Sequence, residues 1–301
     1  MKYEAIVVGG SFAGLSAAMQ LTRARRNVLL IDAGRPRNRF AEASHGFLGQ
    51  DGVAPAEIRR RSLEQLARYP NFTLLEGEAV SAERCLGGFR LTMGNGKVLE
   101  GQVLVLALGV TDTLPAIPGL AERWGRTVLH CPYCHGYEIG GGPIGILASS
   151  PLAAHQGGIL PDWGKTTMFV EPGVIFDEEQ HAMLRARGVT IETERVVELI
   201  GEGQGLEAVR LADGRVVEVH ALFAQSKVAI ASPLAAELGL RLEEGPQGSH
   251  IAVEMGCTSE SGVFAGGDAT SAMHNATLAS ASGVMAGVAA HRALIEASLW
   301  T

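Results

Sequence analysis

The hydrophobic positions of this chain come in short blocks closed by glycine. Tyr3 to Val8 is a compact apolar run that stops at Gly9 and Gly10 and reopens as a helix-like stretch. A short apolar run bounded by turn residues reads as a buried strand. Val28 to Ile31 is a second such run and stops at Asp32; Val103 to Leu106 is a third and leads to Gly109. Near the C-terminus, Ser261 to Ala265 runs into Gly266-Gly267-Asp268, and a helical stretch rich in small residues follows from Asn275 to His291. The middle of the chain repeats the scheme. Ile144 to Leu147 predicts a strand, Thr166 to Val170 another, and the helix between them is expected to be weakened by Gly157 and Gly158 and ended by Pro161. Strands alternating with helices predict an α/β protein with parallel sheets.

Composition narrows this picture. The 301 residues suffice for two domains. A content of 47% hydrophobic residues with 39 glycines suits a packed α/β chain with many tight turns and excludes disorder. A net charge of -7 argues against nucleic acid as a partner. The basic clusters Arg23, Arg25, Arg26 and Arg59 to Arg61 read as solvated helix faces. The N-terminus shows no charged-then-apolar leader, and no apolar run reads as long enough to cross a bilayer, so the expectation is a cytoplasmic protein without a membrane partner.

Two features carry chemistry. The turn Gly9-Gly10-Ser11-Phe12-Ala13-Gly14 between strand and helix lets backbone N–H groups approach a pyrophosphate, and Asp32 at the end of the next strand can accept hydrogen bonds from ribose hydroxyls. Ser11 stands where the middle glycine of this fingerprint is expected. The second feature is Cys131-Pro132-Tyr133-Cys134-His135. Two cysteines at this spacing close a redox disulfide or contribute to a zinc site. Zinc needs a second pair of ligands. Cys85 and Cys257 stand alone and read as inert, so no metal is expected. His135 can take a thiol proton and, once charged, stabilise a thiolate.

Gly266-Gly267-Asp268 with its following helix resembles the second FAD motif of the thioredoxin-reductase and glutathione-reductase flavoproteins. With the cysteine pair placed between the two motifs, and with Ile117-Pro118-Gly119 and Trp124-Gly125 ahead of it, nearly the whole chain resembles the low-molecular-weight thioredoxin reductases. The resemblance implies two Rossmann-like, three-layer nucleotide-binding domains: an FAD domain of residues 1–114 and 245–301, and an inserted central domain of 115–244. It implies FAD held by Gly9, Gly10, Ser11, Phe12, Ala13, Gly14, Asp32, Ala33, Gly34, Arg37, His45, Val80, Ala107, Gly109, Gly267, Asp268, His274 and Asn275. It makes Cys134 the flavin-proximal sulfur, Cys131 the exchanging one and the protein a homodimer. His135 replaces the family's acid/base Asp, and CxxCH resembles the branch containing gliotoxin-oxidase-like dithiol oxidases. Leu108 replaces a threonine beside the cofactor, and His274-Asn275 replaces an Arg-Gln pair. His45 is expected at the flavin or the reacting sulfur, and Trp300 reads as part of a frayed terminus rather than as a cover for the flavin.

The central domain departs from the family. Ala148 and Ser150 stand where the phosphate-loop glycines belong, and Glu171-Pro172-Gly173 replaces the basic cluster that binds the 2′-phosphate. NADPH is therefore not expected, while NADH or a second flavin stays open. The expected activity is FAD-dependent thiol–disulfide exchange with a small dithiol or disulfide, or with a thioredoxin-like protein. It could run as oxygen-dependent dithiol oxidation, or as thioredoxin reduction from ferredoxin, NADH or a second flavin. A non-catalytic FAD-bound redox sensor is the alternative of a different class.

Overall fold

A computed structural model describes residues 2–299, so Trp300 and the expectation attached to it lie outside the described residues. In chain order the main elements are β1 (Lys2–Val8), α1 (Phe12–Arg23), β2 (Val28–Asp32), α2 (Pro55–Leu66), β3 (Phe72–Glu76), β4 (Ala79–Cys85), β5 (Gly88–Met93), β6 (Val98–Leu106) and β7 (Val110–Thr113). They continue with β8 (Val128–Leu129), α3 (Pro132–His135), β9 (Gly141–Ala148), α4 (Ala153–Ile159), β10 (Gly164–Val170), α5 (Glu178–Ala186), β11 (Thr190–Glu192), β12 (Val196–Ile200), β13 (Ala208–Leu211), β14 (Val216–Glu218), β15 (Ala221–Ala224) and β16 (Lys227–Ile230). Last come α6 (Leu234–Glu237), β17 (Leu242–Glu244), β18 (Ser249–Ile251), β19 (Val263–Ala265) and α7 (Ala276–Ser298).

The chain divides into two compact units. The first holds residues 1–39, 53–111 and 228–301; the second holds 40–52 and 112–227. The limits that the resemblance implies, 114 and 245, stand beside unit limits at 111 and 228. Leu234, Ala235 and Leu240 are buried in the core of the first unit, which draws residues 228–244 into it. The segment 40–52 joins the second unit, which no local pattern announced.

In the first unit, β1 lies between β2 and β6, β3 extends beyond β2, and β19 joins β6, all in parallel; β4 and β5 continue from β6 as antiparallel strands. Alternation of side chains along a strand builds the layers. Ala5, Val7, Val28, Leu30, Val103 and Val105 face the core under α1 and α7. Their neighbours Ile6, Val8, Leu29, Ile31, Leu104 and Leu106 face the opposite core with Phe89 and Leu91 of β5. The small residues of α7 now have a reason. A side chain at Gly283 would overlap the Ala13 carbonyl, and one at Gly287 would lie 2.8 Å from the Ala17 carbonyl, so α7 packs directly on α1. By length and composition α7 is apolar enough to cross a membrane, contrary to the reading from sequence; here Ala286, Ala290 and Leu294 pack one face of it into the core of the first unit.

The second unit repeats the scheme. Five parallel strands run in the order β11, β10, β9, β15, β8, and β12, β13 and β14 form an antiparallel layer. Ile144, Ile146, Met168 and Phe223 face α4 and α5; Leu147, Phe169 and Leu222 face the antiparallel layer. Arg123 is buried at 6% exposure and donates to the carbonyls of Gly119 (2.8 Å), Gly201 (2.6 Å) and Gly205 (2.8 Å), tying the segment before β8 to this layer. Both units are Rossmann-type α/β structures, as the sequence predicts.

Candidate active site

In the first unit, β1 delivers the chain into a turn that only glycine fits. Gly9 has φ +106°, and a side chain there would overlap the Ala107 carbonyl oxygen. A Cβ at Gly10 would lie 2.5 Å from Asp32 Cγ, and one at Gly14 would overlap the Gly9 carbonyl. Ser11 stands at the N-cap of α1 without a side-chain capping bond. The N-terminus of a twelve-residue helix is a place where backbone N–H groups and the helix dipole favour an anion. Phe12 and Ala13 are buried behind the turn.

Asp32 is buried, and its Oδ1 accepts from Gly10 N–H at 3.1 Å. Arg59, from α2, donates through Nε to the Gly10 carbonyl at 3.0 Å and through Nη2 to Asp32 Oδ2. This corrects the reading of Arg59 as part of a solvated face. Arg60 and Arg61 are so placed and pair with Glu57, but Arg59 clasps the turn and the acid together. The only sequence signal was spacing: Arg59 falls on the opposite side of α2 from the two arginines that pair with Glu57.

The C-terminal motif meets this turn. Gly267 has φ +87°, and a Cβ there would lie 2.9 Å from Ala13 Cβ. Asp268 Oδ2 lies 3.5 Å from Arg37 Nη1. Asn275 does not extend a free amide; its side-chain oxygen accepts from Thr277 and Leu278 N–H and caps α7. His274 beside it is half-buried. Gly34 and Gly109 adopt positive φ, Ala33 follows Asp32 and is exposed, and Val80 is 40% exposed on β4. The structure thus brings the Gly9–Gly14 turn, Asp32, Ala107 and Gly267 together. His45 falls in the second unit.

The cysteine pair is also in the second unit. Cys131 and Cys134 form a disulfide with Cα atoms 5.4 Å apart. Cys131 is the N-cap of the single turn α3, and Pro132 opens that turn, where a missing N–H costs nothing. The His130 ring stacks on Trp124, and its carbonyl accepts from Gln156 at 3.3 Å, which fixes the entry to the loop. A Cβ at Gly136 would meet the Trp163 ring at 2.8 Å, so glycine admits the tryptophan that packs edge-on to Tyr133. Tyr133 and Tyr137 are exposed around the disulfide.

His135 is half-buried rather than the exposed imidazole that a plain loop would give. Burial pushes its imidazole below the ordinary histidine range, Glu138 pulls it back up, and His45 pushes it further down. A neutral imidazole beside a thiol is a proton acceptor. Among the described residues, no group of three or more His, Cys, Asp or Glu could hold a metal ion.

The turn after β9 is built differently. Ala148 is buried, and Ser150 Oγ donates to Gln225 Oε1 at 2.7 Å. The following helix α4 has seven residues and passes through Gly157 and Gly158 without interruption. It ends at Ile159, ahead of Pro161, as expected. A side chain at Gly157 would overlap Leu184 Cδ2, so the glycine serves close packing against α5. Beyond the strand ends is a cavity of about 380 Å³ lined by residues including Ile117, Leu147, Ser149, Glu171 and Arg195. Arg195 went unnoticed in the sequence because it precedes β12, far from the segment after β10 where a basic cluster belongs.

The family model for pyridine nucleotide-disulphide oxidoreductases matches residues 3–283. The chain is 34% identical to the thioredoxin reductase tcpT of Claviceps purpurea (strain 20.1), across 97% of this chain and 94% of that protein. It is 31% identical to the thioredoxin reductase aclD of Aspergillus oryzae (strain ATCC 42149 / RIB 40), across 95% of this chain and 94% of that protein. The crystal structure of an oxidoreductase from Agrobacterium tumefaciens matches with a TM-score of 0.94 at 49% identity, covering 98% of this chain and 99% of that one. FAD, which this relationship implies, fits the first unit, where a cradle that any Cβ would fill lies beside a buried carboxylate. The corresponding turn of the second unit carries Ala148 and Ser150 in place of glycines, and the serine is engaged with Gln225.

Proposed function

The chain belongs to the pyridine nucleotide-disulphide oxidoreductase family, and we propose that this flavin-dependent disulfide oxidoreductase draws its electrons from a dithiol rather than from NADPH. The observation that carries the reading is a Cys131–Cys134 disulfide one residue from a half-buried His135, in a unit whose phosphate turn lacks its glycines. The Gly9–Gly14 turn, Asp32, Gly267 and Asp268 would hold FAD, which would supply a two-electron acceptor for the reduced cysteine pair.

The residues of the chain do the sulfur chemistry. A substrate thiolate attacks Cys131 Sγ, the S–S bond breaks, and Cys134 leaves as a thiolate. The second substrate thiol attacks the mixed disulfide, the substrate closes its own disulfide, and Cys131 is released. The substrate has lost two electrons and two protons, and the cysteine pair has gained the electrons. His135 exchanges the proton of Cys134, which its lowered basicity suits, because it stays neutral and ready at neutral pH. Exposed Tyr133 and Tyr137 offer an apolar rim to the incoming thiol. The protein works as a homodimer.

The names of the relatives favour a second reading, in which a thioredoxin-like protein is the disulfide substrate and another donor reduces the flavin. Anaerobic addition of dithiothreitol, NADH, NADPH or reduced ferredoxin to the purified yellow protein tests both. Bleaching of flavin absorbance by the dithiol, with oxygen uptake on re-aeration, is the expected result. Bleaching by NADPH alone would overturn the reading. Retained flavin with no turnover under any reductant would leave only a sensor.

A further inference from the structure

The segment 40–52 belongs by sequence between elements of the first unit, yet it packs in the second. It is held there by the ion pair of Glu42 with Arg126 and by Phe40 against Gly125. Its loop is closed on itself: Gly46 N–H donates to Asp51 Oδ1 at 2.9 Å, and Gly52 N–H to the Ser44 carbonyl at 2.9 Å. The residue so presented is His45. Its Nδ1 lies 3.4 Å from Glu138 Oε1 and 3.6 Å from Asp51 Oδ1. Glu138 sits on the 3-10 turn Tyr137–Ile139, just past the turn α3 that carries Cys134 and His135. An imidazole between two carboxylates, next to a second imidazole beside a disulfide, is a built arrangement of charges. Nothing in the exchange of sulfurs alone requires it.

We propose that His45 is a positioning residue for the thiol–disulfide reaction, acting with Glu138 through His135 to set the pH at which the thiolate of Cys134 forms. The proposal rests on the reading of His135 as the group that exchanges the Cys134 proton. The groups facing His135 are Glu138 on the turn that follows its own and His45 on the facing segment; those facing His45 are Glu138 and Asp51. Glu138 and His45 act on His135 in opposite senses. Negative charge on Glu138 favours the imidazolium that pairs with the thiolate, and positive charge on His45 disfavours it. The loop bonds of Gly46 to Asp51 and of Gly52 to Ser44 hold the segment that presents His45.

The test is the pH dependence of alkylation of the reduced, FAD-bound protein by iodoacetamide. It is read by mass spectrometry on the peptide carrying Cys131 and Cys134, so that Cys85 and Cys257 do not contribute. Glu138→Gln should move the midpoint of thiolate formation up, and His45→Gln should move it down, each by about half a pH unit or more. The double variant should return toward the wild-type midpoint. A merely structural role would not give shifts of opposite sign. Unchanged midpoints in both single variants, with a shifted midpoint in His135→Ala, would overturn the proposal and leave the role of His135 standing. An unchanged midpoint in His135→Ala would remove the reading on which the proposal rests. Shifts of the same sign in both single variants would also overturn it, as loosening of the loop predicts that outcome.

Discussion

The two units carry the same layered scheme and differ where a nucleotide would lie. In each, a central parallel strand alternates its side chains between two cores and ends at a turn leading to a helix. In the first, the turn is Gly9 to Gly14 and backbone packs directly on backbone. In the second, it is Ala148 to Ala153, with a serine hydroxyl turned to Gln225. The acid ending the neighbouring strand differs as well. Asp32 is clasped by Gly10 and Arg59, whereas Glu171 lines an open cavity with Arg195. Strand alternation and core packing therefore build the same fold around two differently made turns, and the ligand is a property of the site and not of the fold.

The sharpest way to break this comparison is to give the first turn a side chain. Gly14→Val places atoms on the Gly9 carbonyl. The expected protein is colourless, with flavin per chain near zero by absorbance, while Ser149→Val in the second unit keeps full flavin. A yellow Gly14→Val protein would show that the cradle does not hold the cofactor. Next in size is His135→Ala, expected to slow dithiol oxidation by about 10²–10⁴-fold. The sign of its pH effect follows from the lowered basicity of His135. The folded imidazole stays neutral below the ordinary histidine range, so the acid limb of kcat/KM in the wild type should lie below that range and vanish in the variant. An acid limb that persists would assign it to another group.

Smaller effects separate the two acids and the two kinds of glycine. Arg59→Ala or Asp32→Asn should weaken FAD by about tenfold, or ~1.4 kcal/mol, measured by flavin fluorescence on dilution, and Glu171→Gln should leave it unchanged. Gly283→Ala drives a methyl into the Ala13 backbone, which cannot yield, and should cost about 3 kcal/mol in urea unfolding. Gly157→Ala meets only the ends of Leu184 and Met168, which can turn aside, and should cost nearer ~1 kcal/mol. Equal costs would mean that α4 is packed as tightly as α7.

The strands that build each unit were legible in the sequence because a buried parallel strand is a local signal. Tyr3 to Val8, Val28 to Ile31 and Thr166 to Val170 lie within β1, β2 and β10. The Gly9–Gly14 turn, Asp32 and Gly267 were legible because a turn with no room for Cβ leaves glycine in fixed positions. What escaped was not local. Arg59 and Arg195 reach their sites from elements that carry no motif, and 40–52 crosses to the second unit through contacts of Phe40, Glu42 and His45 that no periodicity marks. Gly157 and Gly158 were read through helix propensity alone, but packing against Leu184 overrides it.

The smallest effect expected is none at all. NADPH added anaerobically at micromolar concentration to the oxidised protein should leave flavin absorbance unchanged over minutes. Two physical requirements are at stake. A pyrophosphate must approach backbone N–H groups at the start of a helix. After β9 it meets Ala148, Ser149 and Ser150, and a helix of only seven residues. A 2′-phosphate must also find positive charge. The segment after β10 offers Glu171, although Arg195 brings one cation to the same cavity. Arg195 is thus the residue through which the comparison between the units could fail. Rapid bleaching by NADPH that is lost in Arg195→Ala would show that the second unit binds a phosphate without its glycines. Absence of bleaching in the wild type, and its persistence in Arg195→Ala, would leave the turn as the deciding element.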